Sequence, residues 1–474
     1  MVTRLDGHEI KKRFSYYRSL VRKGVAGFIV FGGELGTVRT YVQKLQDEAE
    51  APLIIASDLE RGLGQQLKGG THFPPAMALA ATLKKGRMFD AQGSGARRVR
   101  ASFMALAREG RFAGINTIFA PVLDINTNPK NPIIAARAFG AEPGIVSFLG
   151  AEMIRVLQKN GIAACGKHFP GHGDTSVDSH IQLPVLKQDM KRLRRCELKP
   201  FMAAVNAGVR MIMLGHLSVP ALDPSGIPVS VSEKAVEFIR REMEYDGILI
   251  TDALNMGGIG KFSEHEASRL ALAAGIDILL HPSDPDRMAA YLAKMHVPCV
   301  PDRLLRFRSG LQPVADSVVP PFDRHRELSR RLTEAAISVT GRCRIRRGEP
   351  LVVVLNDEDE EKGEIFIRSM EKYFPGTRAV RVRPGSPVPK IRKGPDASVI
   401  VVIFSETRAW KGGASGWLQK QAAICGKDAD LYISFGSPYL LDHLGKVPRV
   451  RAFWDADQAQ DVLPKVLRRA CTGR

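Results

Sequence analysis

The segment of residues 167–180 concentrates side chains that can transfer protons. It reads KHFPGHGDTSVDSH and holds three histidines, two aspartates and one lysine, interleaved with glycine and proline. Because glycine permits tight backbone turns, the segment predicts a structured loop beyond a strand and not a helix. Asp178 and His180 are two residues apart, so they face the same way if the segment is extended. A carboxylate beside an imidazole fixes its tautomer and supports its protonated form during proton transfer.

This loop also has two other interpretations, a metal site and a polar loop with a purely structural role. Histidines and carboxylates do ligate metals, but the cluster lacks the spacing of a known zinc motif. The sequence therefore predicts no metal site and no cofactor. From the residues alone, a catalytic role and a structural role both stay open.

The elements that must position this loop are short β-rich apolar runs separated by stretches with helical periodicity. Strands that alternate with helices indicate parallel βα units, and eight such units close a barrel. We therefore predict an α/β fold with a (β/α)8 TIM barrel. The eight predicted strands are residues 1–5, 28–31, 53–57, 117–120, 162–166, 211–214, 248–251 and 276–280.

Polar residues recur just after these runs, at the ends that would form one mouth of the barrel. Carboxyl-terminal strand ends converge on that mouth, where barrel enzymes build their active sites. Charges scattered at random would not regularly follow the predicted strands, so the pattern supports both the fold and the position of the site. From the third strand to the eighth these residues are Asp58, Asp124, Lys167 with His168, His216, Asp252 and His281.

The chain length of 474 residues favours two domains, and the sequence pattern changes after about residue 320. Several prolines there indicate a linker. A helix-like stretch follows, and after it come about five further β-rich runs. We predict a catalytic barrel over residues 1–320, a linker and helix over 321–345, and a smaller C-terminal α/β sandwich domain over 346–474.

The net charge of +19 raises the question of an anionic partner such as nucleic acid. The basic residues are scattered and form no nucleic-acid motif, so we expect a basic solvated surface and no nucleic-acid partner. No apolar run reaches the roughly 18 residues of a membrane helix, so no membrane partner is expected either.

The six cysteines lack CxxC or regular spacing, so we expect free, packed thiols, without a disulfide framework. The first residues carry no signal-peptide core, which makes a cytoplasmic location the default. Because the first predicted strand begins at Met1, we expect the true start to lie upstream, and the presence of a signal or lipoprotein peptide there stays open.

The loop of residues 167–180 resembles the signature of glycoside hydrolase family 3, in its β-N-acetylglucosaminidase branch. The resemblance covers the barrel and extends more weakly to ISFGSPYLL at 433–441 in the second domain. It implies a barrel followed by an α/β sandwich. The supporting segments, in order, are SDLERGLGQQL (57–67), FAPVLDINTNP (119–129), ARAFG (136–140), GHLSVPALDPSGIPVSVS (215–232), YDGILITDALNM (245–256) and AAGIDILLHP (273–282).

The resemblance implies a role for each matching residue. Asp252 would be the nucleophile, and His180, partnered by Asp178, the general acid/base of a retaining glycosidase. Such an enzyme would remove terminal β-linked N-acetylglucosamine from chitooligosaccharides or cell-wall fragments, as in peptidoglycan recycling. The substrate-binding positions would be Asp58, Arg137, Lys167, His168 and His216.

One departure from the family pattern is Gln66, where this branch usually carries an arginine. Glutamine is neutral and has fewer donors, so either the sugar contact is altered or a neighbour such as Arg61 substitutes. Two residues of the second domain are further candidates. Trp410 would stack on a sugar or lie on a surface loop, and Glu406 would be the substitute acid if His180 were not the acid/base.

Three alternatives to a hexosaminidase remain. A neutral histidine does not repel phosphate as a carboxylate would, so a phosphorylase acting on β-glucosaminides or β-glucosides is one. A β-glucosidase or β-xylosidase is another, and the loop that ends in His180 disfavours it. The third is a carbohydrate-binding protein without catalysis, which would be favoured had Asp252 or His180 been replaced.

Overall fold

The computed structural model describes residues 1–83, 93–295, 302–313, 315–346, 348–356, 358, 361–385, 396–405, 415–425, 427–444 and 446–471. These residues belong to two compact units, one drawn from 1–73, 89–128 and 138–326, the other from 74–88, 129–137 and 327–474. The predicted boundaries at 320 and 345 stay predictions. The second unit also draws on two stretches that lie within the predicted barrel range.

The first unit is a closed barrel of eight parallel strands in chain order, which confirms the predicted fold class. Pairing of Val2 with Leu280 joins the first strand to the last. The strands are β1 (Val2–Asp6), β2 (Gly27–Phe31), β3 (Ile54–Ser57), β4 (Thr117–Ile118), β5 (Ala163–Phe169), β6 (Met211–Leu214), β7 (Ile248–Ala253) and β8 (Ile278–Leu280).

The barrel core follows the two-residue period of its strands. Met211 and Met213 of β6, and Ile248 and Ile250 of β7, belong to one buried apolar cluster. Phe307 of a later helix joins the same cluster. Burying these side chains contributes roughly 1.5–3 kcal/mol each, so the core fixes which residues point inward and holds the strand ends in place.

The α-helices vary in length from five to twenty residues. In chain order they are α1 (Phe14–Arg22), α2 (Leu35–Asp47), α3 (Ala76–Ala81), α4 (Ser94–Ala113), α5 (Pro143–Lys159), α6 (Met190–Arg195), α7 (Leu198–Asn206), α8 (Glu233–Glu237), α9 (Glu264–Ala274), α10 (Pro285–Lys294), α11 (Asp302–Ser309), α12 (Phe322–Ala336), α13 (Glu364–Tyr373), α14 (Gly416–Cys425) and α15 (Asp457–Cys471). No helix among the described residues is long and apolar enough to cross a bilayer.

Helix α9, which leads from β7 to β8, shows how the sequence sets an element's ends. Ser263 and Glu266 form a capping box: the Ser263 hydroxyl accepts from the Glu266 amide, and the Glu266 carboxylate accepts from the Ser263 amide. Gly275 ends the helix with a left-handed φ of 97°, which glycine adopts without steric cost. The chain is thereby turned back into β8.

The second unit contains a six-stranded sheet in the order β11-β10-β12-β13-β14-β9. Its strands pair in parallel except for β9 with β14. The strand β9 was missed, because its three residues fall within the predicted helix and linker. The strands are β9 (Ser338–Thr340), β10 (Leu351–Asn356), β11 (Arg378–Val382), β12 (Val399–Ser405), β13 (Leu431–Gly436) and β14 (Arg449–Arg451).

Both faces of this sheet are covered, as parallel sheets require. Val352 and Val354 of β10 pack in a cluster with Phe366 of α13. Val353, between them, belongs to the cluster on the other face, which contains Leu418 of α14. The near-continuous apolar run in β10 therefore reflects burial on both faces.

The expectation of free thiols is wrong for Cys343 and Cys471, which form a disulfide across 128 residues of chain. Cys165, Cys196 and Cys425 are free and buried, as expected. Cys299 lies outside the described residues. Disulfides persist mainly in oxidising compartments, which runs against the cytoplasmic expectation. The location stays a prediction.

Candidate active site

The predicted mouth residues lie at the carboxyl ends of the barrel strands. Asp58 follows β3 and His216 lies two residues beyond β6. Lys167 and His168 are within β5, and Asp252 is within β7, because these two strands run further than the sequence predicted. All of these residues therefore converge on one end of the barrel.

The Asp178 carboxylate and the His180 imidazole form a dyad on the loop after β5. Oδ1 of Asp178 is 2.7 Å from His180 Nδ1 and accepts from the His180 amide at 2.8 Å. The Asp178 side chain is 2% exposed and that of His180 20%. A carboxylate at Nδ1 fixes the tautomer, so proton exchange with a substrate falls to Nε2.

The Asp252 carboxylate is buried at the end of β7, with Oδ1 accepting from the Ala253 amide at 2.8 Å. Burial alone would raise the pKa of Asp252. The nearby imidazole of His168, the Ala253 amide and His180 outweigh that effect and hold the pKa of Asp252 below its ordinary value. Asp252 is therefore an anion at neutral pH, which is the state that a nucleophile needs.

Lys167 holds two carboxylates beside this site. Its Nζ lies 2.7 Å from Asp58 Oδ1 and 2.8 Å from Glu60 Oε1, and its side chain is 3% exposed. A buried ammonium with two carboxylate partners is held in one geometry. Glu60 was missed by the sequence argument, although its spacing of two from Asp58 was the available signal.

Asp124 is fully buried behind His168 and holds the start of the loop of residues 167–180. Its Oδ2 is 2.8 Å from His168 Nδ1, while Oδ1 accepts from the amides of His168 at 3.3 Å and His172 at 2.6 Å. This geometry favours a role for Asp124 in supporting the loop over a contact with a sugar. Burial would raise the pKa of Asp124, but His168 brings it below its ordinary value.

His216 is buried, and both of its ring nitrogens have partners in the protein. Nδ1 is 2.7 Å from the Ser230 hydroxyl and Nε2 is 3.0 Å from the Ala253 carbonyl oxygen. Since a carbonyl only accepts, Nε2 carries the proton and the serine donates to Nδ1. Burial lowers the pKa of His216, which favours this neutral form. The ring supports the end of β7, and a sugar contact is not what the geometry favours.

The remaining candidates from the sequence are Arg137, Gln66, Glu406 and Trp410. Arg137 lies in the 3-10 helix Ala135–Arg137, which belongs to the second unit, and its Nη1 donates to the Ile133 carbonyl at 3.2 Å. Its sugar contact stays a prediction. Gln66 makes long bonds, to the Gly32 amide at 3.4 Å and the Asp58 carbonyl at 3.5 Å. Glu406 and Trp410 lie outside the described residues.

Comparison with known proteins finds a matching family model, similar sequences and similar structures. The family model for the N-terminal domain of glycosyl hydrolase family 3 matches residues 5–298. A protein named β-hexosaminidase A, from Pseudoalteromonas piscicida, is 35% identical over 272 residues, which are 53% of this chain and 44% of that protein. The chain thus spans less than half the length of that relative.

Two solved structures extend the likeness. A family 3 β-N-acetylglucosaminidase from Paenibacillus sp. str. FPU-7 has a TM-score of 0.81 at 27% identity, over 99% of this chain and 95% of that one. NagZ from Neisseria gonorrhoeae, solved with N-trifluoroacetyl-D-glucosamine, has a TM-score of 0.59 at 27% identity, over 70% and 97%. The first likeness includes the C-terminal unit as well as the barrel.

Proposed function

The chain belongs to glycosyl hydrolase family 3, and from that premise we propose that it is a retaining β-N-acetylglucosaminidase. The observation that carries this proposal is the buried Asp178 carboxylate 2.7 Å from His180 Nδ1, on the loop beside an ionised Asp252. The Asp252 carboxylate can attack the anomeric carbon, and the His180 imidazole can carry a proton. A retaining glycosidase needs these two functions and no cofactor.

In the first step, an oxygen of Asp252 attacks the anomeric carbon while the glycosidic carbon–oxygen bond breaks. His180 Nε2 gives its proton to the departing oxygen, and Asp178 stabilises the protonated imidazole before transfer. Oδ1 of Asp252 accepts from the Ala253 amide, so Oδ2 is the oxygen for attack. The product is a covalent glycosyl–Asp252 intermediate.

In the second step, His180 takes a proton from water, and the resulting oxygen attacks the anomeric carbon. The bond to Asp252 breaks and the carboxylate is regenerated, so the sugar keeps its β configuration after two inversions. A histidine can serve because its pKa lies near neutrality without the burial that a carboxylic acid would need.

The sugar in the pocket is proposed to be a terminal β-linked N-acetylglucosamine. Asp58 would accept from sugar hydroxyls, while Lys167, held between Asp58 and Glu60, would donate to them. The relatives named hexosaminidase and the NagZ complex with a glucosamine derivative support this sugar. Chitooligosaccharides and muropeptides are the donors that we propose.

The test joins a substrate panel with a trapping experiment. Hydrolysis of p-nitrophenyl β-GlcNAc is expected to exceed that of the β-GalNAc, β-glucoside and β-xyloside analogues, with or without phosphate. A fluorinated substrate is expected to label Asp252, and Asp252→Asn to lose nearly all turnover. Asp246→Asn is the matched control, because this exposed carboxylate precedes the opposite end of β7.

Each alternative has its own outcome in the same panel. A glycosyl phosphate product in the presence of phosphate would identify a phosphorylase. Preference for the glucoside would identify a glucosidase. Labelling of a residue other than Asp252 would refute the assignment of the nucleophile, and absence of turnover on every substrate would favour a binding protein.

A further inference from the structure

Two adjacent glycines after β7 contact the loop that carries the Asp178–His180 dyad. The Gly257 amide donates to the His180 carbonyl oxygen at 3.1 Å, and the Gly258 amide donates to the Ser179 carbonyl oxygen at 2.8 Å. Both glycines belong to the 3-10 helix Gly257–Ile259, five residues beyond Asp252. The backbone that follows the nucleophile thus bonds the backbone of the acid/base.

The apex of the dyad loop is itself a compact turn. The amides of Ile181 and Gln182 donate to the Asp178 carbonyl oxygen at 3.1 and 3.2 Å, and the His180 amide donates to the Asp178 carboxylate. Because these bonds join neighbours within the turn, the dyad moves as one piece. The two glycine bonds connect that piece to the β7 side of the site.

The sides of the same loop are anchored elsewhere in the barrel. The Asp174 carboxylate accepts from the Thr127 hydroxyl and from the side-chain Nε2 of Gln188, both at 2.6 Å. The Leu186 amide donates to the Ser218 carbonyl at 2.9 Å. These contacts fix where the loop leaves and rejoins the barrel, and the glycine bonds act at the apex between them.

Close packing is what requires glycine at these two positions. A Cβ on Gly257 would come within 2.5 Å of the Ile181 carbonyl oxygen. A Cβ on Gly258 would come within 2.6 Å of the Ser179 carbonyl oxygen and 2.7 Å of the His216 Cβ. Neither glycine has a left-handed φ, so the requirement is for space and not for an unusual backbone conformation.

The β7 side of this contact is firmly held. His216 packs against Gly258, and its Nε2 donates to the carbonyl of Ala253, the residue after Asp252. An added methyl group at Gly258 would therefore be relieved by movement of the loop more readily than by movement of β7. The displaced side chain would be His180.

We infer that Gly257 and Gly258 form a backbone clamp that sets the separation between His180 and Asp252. They are positioning residues, and the inference rests on the proposed retaining mechanism. That mechanism works over a narrow separation of its two groups, and a displacement of about 1 Å can cost on the order of 100-fold in rate. The clamp keeps Nε2 of His180 within reach of the departing oxygen.

The test compares Gly257→Ala and Gly258→Ala with His180→Ala on two β-GlcNAc substrates. A dinitrophenyl leaving group needs no proton, whereas a methyl leaving group does. The clamp predicts that kcat/KM falls by on the order of 100-fold for the methyl glycoside but only a few-fold for the dinitrophenyl one. Azide should accelerate turnover of the activated substrate and yield the β-glycosyl azide, as for His180→Ala.

The matched control is Gly36→Ala in α2, because a Cβ there would meet nothing within 4 Å. Its kinetics should equal those of the wild type on both substrates. Equal losses on both substrates in the Gly257 and Gly258 variants, without azide rescue, would overturn the clamp, and so would unchanged kinetics. In either case, normal labelling of Asp252 and a normal His180→Ala pattern would leave the proposed function intact.

A second measurement does not depend on the glycine variants and covers the case in which they fail to fold. Amide hydrogen exchange of the wild-type protein should show slow exchange at Gly257 and Gly258, because both amides donate to the loop. In His180→Gly, which loosens the apex, exchange at both glycines should rise. Fast exchange at both amides in the wild type would overturn the clamp.

Discussion

Removal of the Asp178 carboxylate tests the proposed acid/base most directly. In Asp178→Ala the imidazole of His180 remains but loses the carboxylate that bonds Nδ1 at 2.7 Å and the His180 amide at 2.8 Å. The ring then loses its fixed tautomer, and its protonated form loses a buried anionic partner. The effect should fall on proton transfer and not on binding.

The size of the effect follows from the bond that is lost. A hydrogen bond to a charged group contributes roughly 1.5–3 kcal/mol. At about 1.4 kcal/mol per tenfold in rate, Asp178→Ala should slow a substrate with a poor leaving group by roughly 10- to 150-fold. His180→Ala removes the acid itself and should cost roughly 100- to 10,000-fold.

The assay is kcat/KM over a series of aryl and alkyl β-GlcNAc substrates whose leaving groups span a wide range of pKa. Both variants should show a steeper dependence on that pKa than the wild type, and Asp178→Ala should be the milder. Asp189→Ala is the control: this exposed N-cap of α6 lies beyond the same loop and bonds the Arg192 amide. It should lower stability by about 1 kcal/mol and leave the slope unchanged. Equal losses on every substrate in the His180 variant, with no glycosyl azide, would make His180 a structural residue.

Three further predictions concern binding, pH and stability. Gln66→Arg should lower KM for a β-GlcNAc substrate with little change in kcat, and an unchanged or higher KM would mean that the pocket uses another cation or another sugar. Burial lowers the pKa of His172 from 6.5 to about 4, so the unfolded chain binds the extra proton first. The contribution of neutral His172 to the free energy of unfolding should be fully present above pH 6.5 and should fall by about 3 kcal/mol as the pH drops toward 4. Denaturant melts should show a smaller loss over the same pH range in His172→Gln. Glu109→Ala removes a buried carboxylate that bonds His325 at 2.7 Å, and melts should show a loss of roughly 3–5 kcal/mol, against little change for the exposed Glu242→Ala.

Periodicity and spacing predicted much of the barrel unit. The apolar runs predicted eight strands, and the polar residues at their ends predicted which side chains meet. This worked because parallel strands place equivalent ends together, whatever the length of the connections. The spacing of Asp178 and His180 likewise predicted the contact that the structure shows.

What the sequence could not predict depends on contacts between distant segments. The pairing of Lys167 with Glu60, and the use of both His216 nitrogens inside the protein, require the closed barrel. The strand β9 is three residues long and pairs at a sheet edge, so its local pattern was too short to separate from the preceding helix. The roles of the site residues stay predictions until the kinetics are measured.

The bond between Cys343 and Cys471 turns most of the second unit into a covalent ring, closed just before the sheet's second strand in chain order and at the end of the last helix. A ring that is cut once remains one molecule. A protease that nicks any loop between these two cysteines would leave its fragments joined until a reductant is added. The ends of the ring also cannot separate, so fraying of α15 stops at its final residue. A single cut between the two cysteines would therefore leave every part of this ring covalently attached to the rest of the chain.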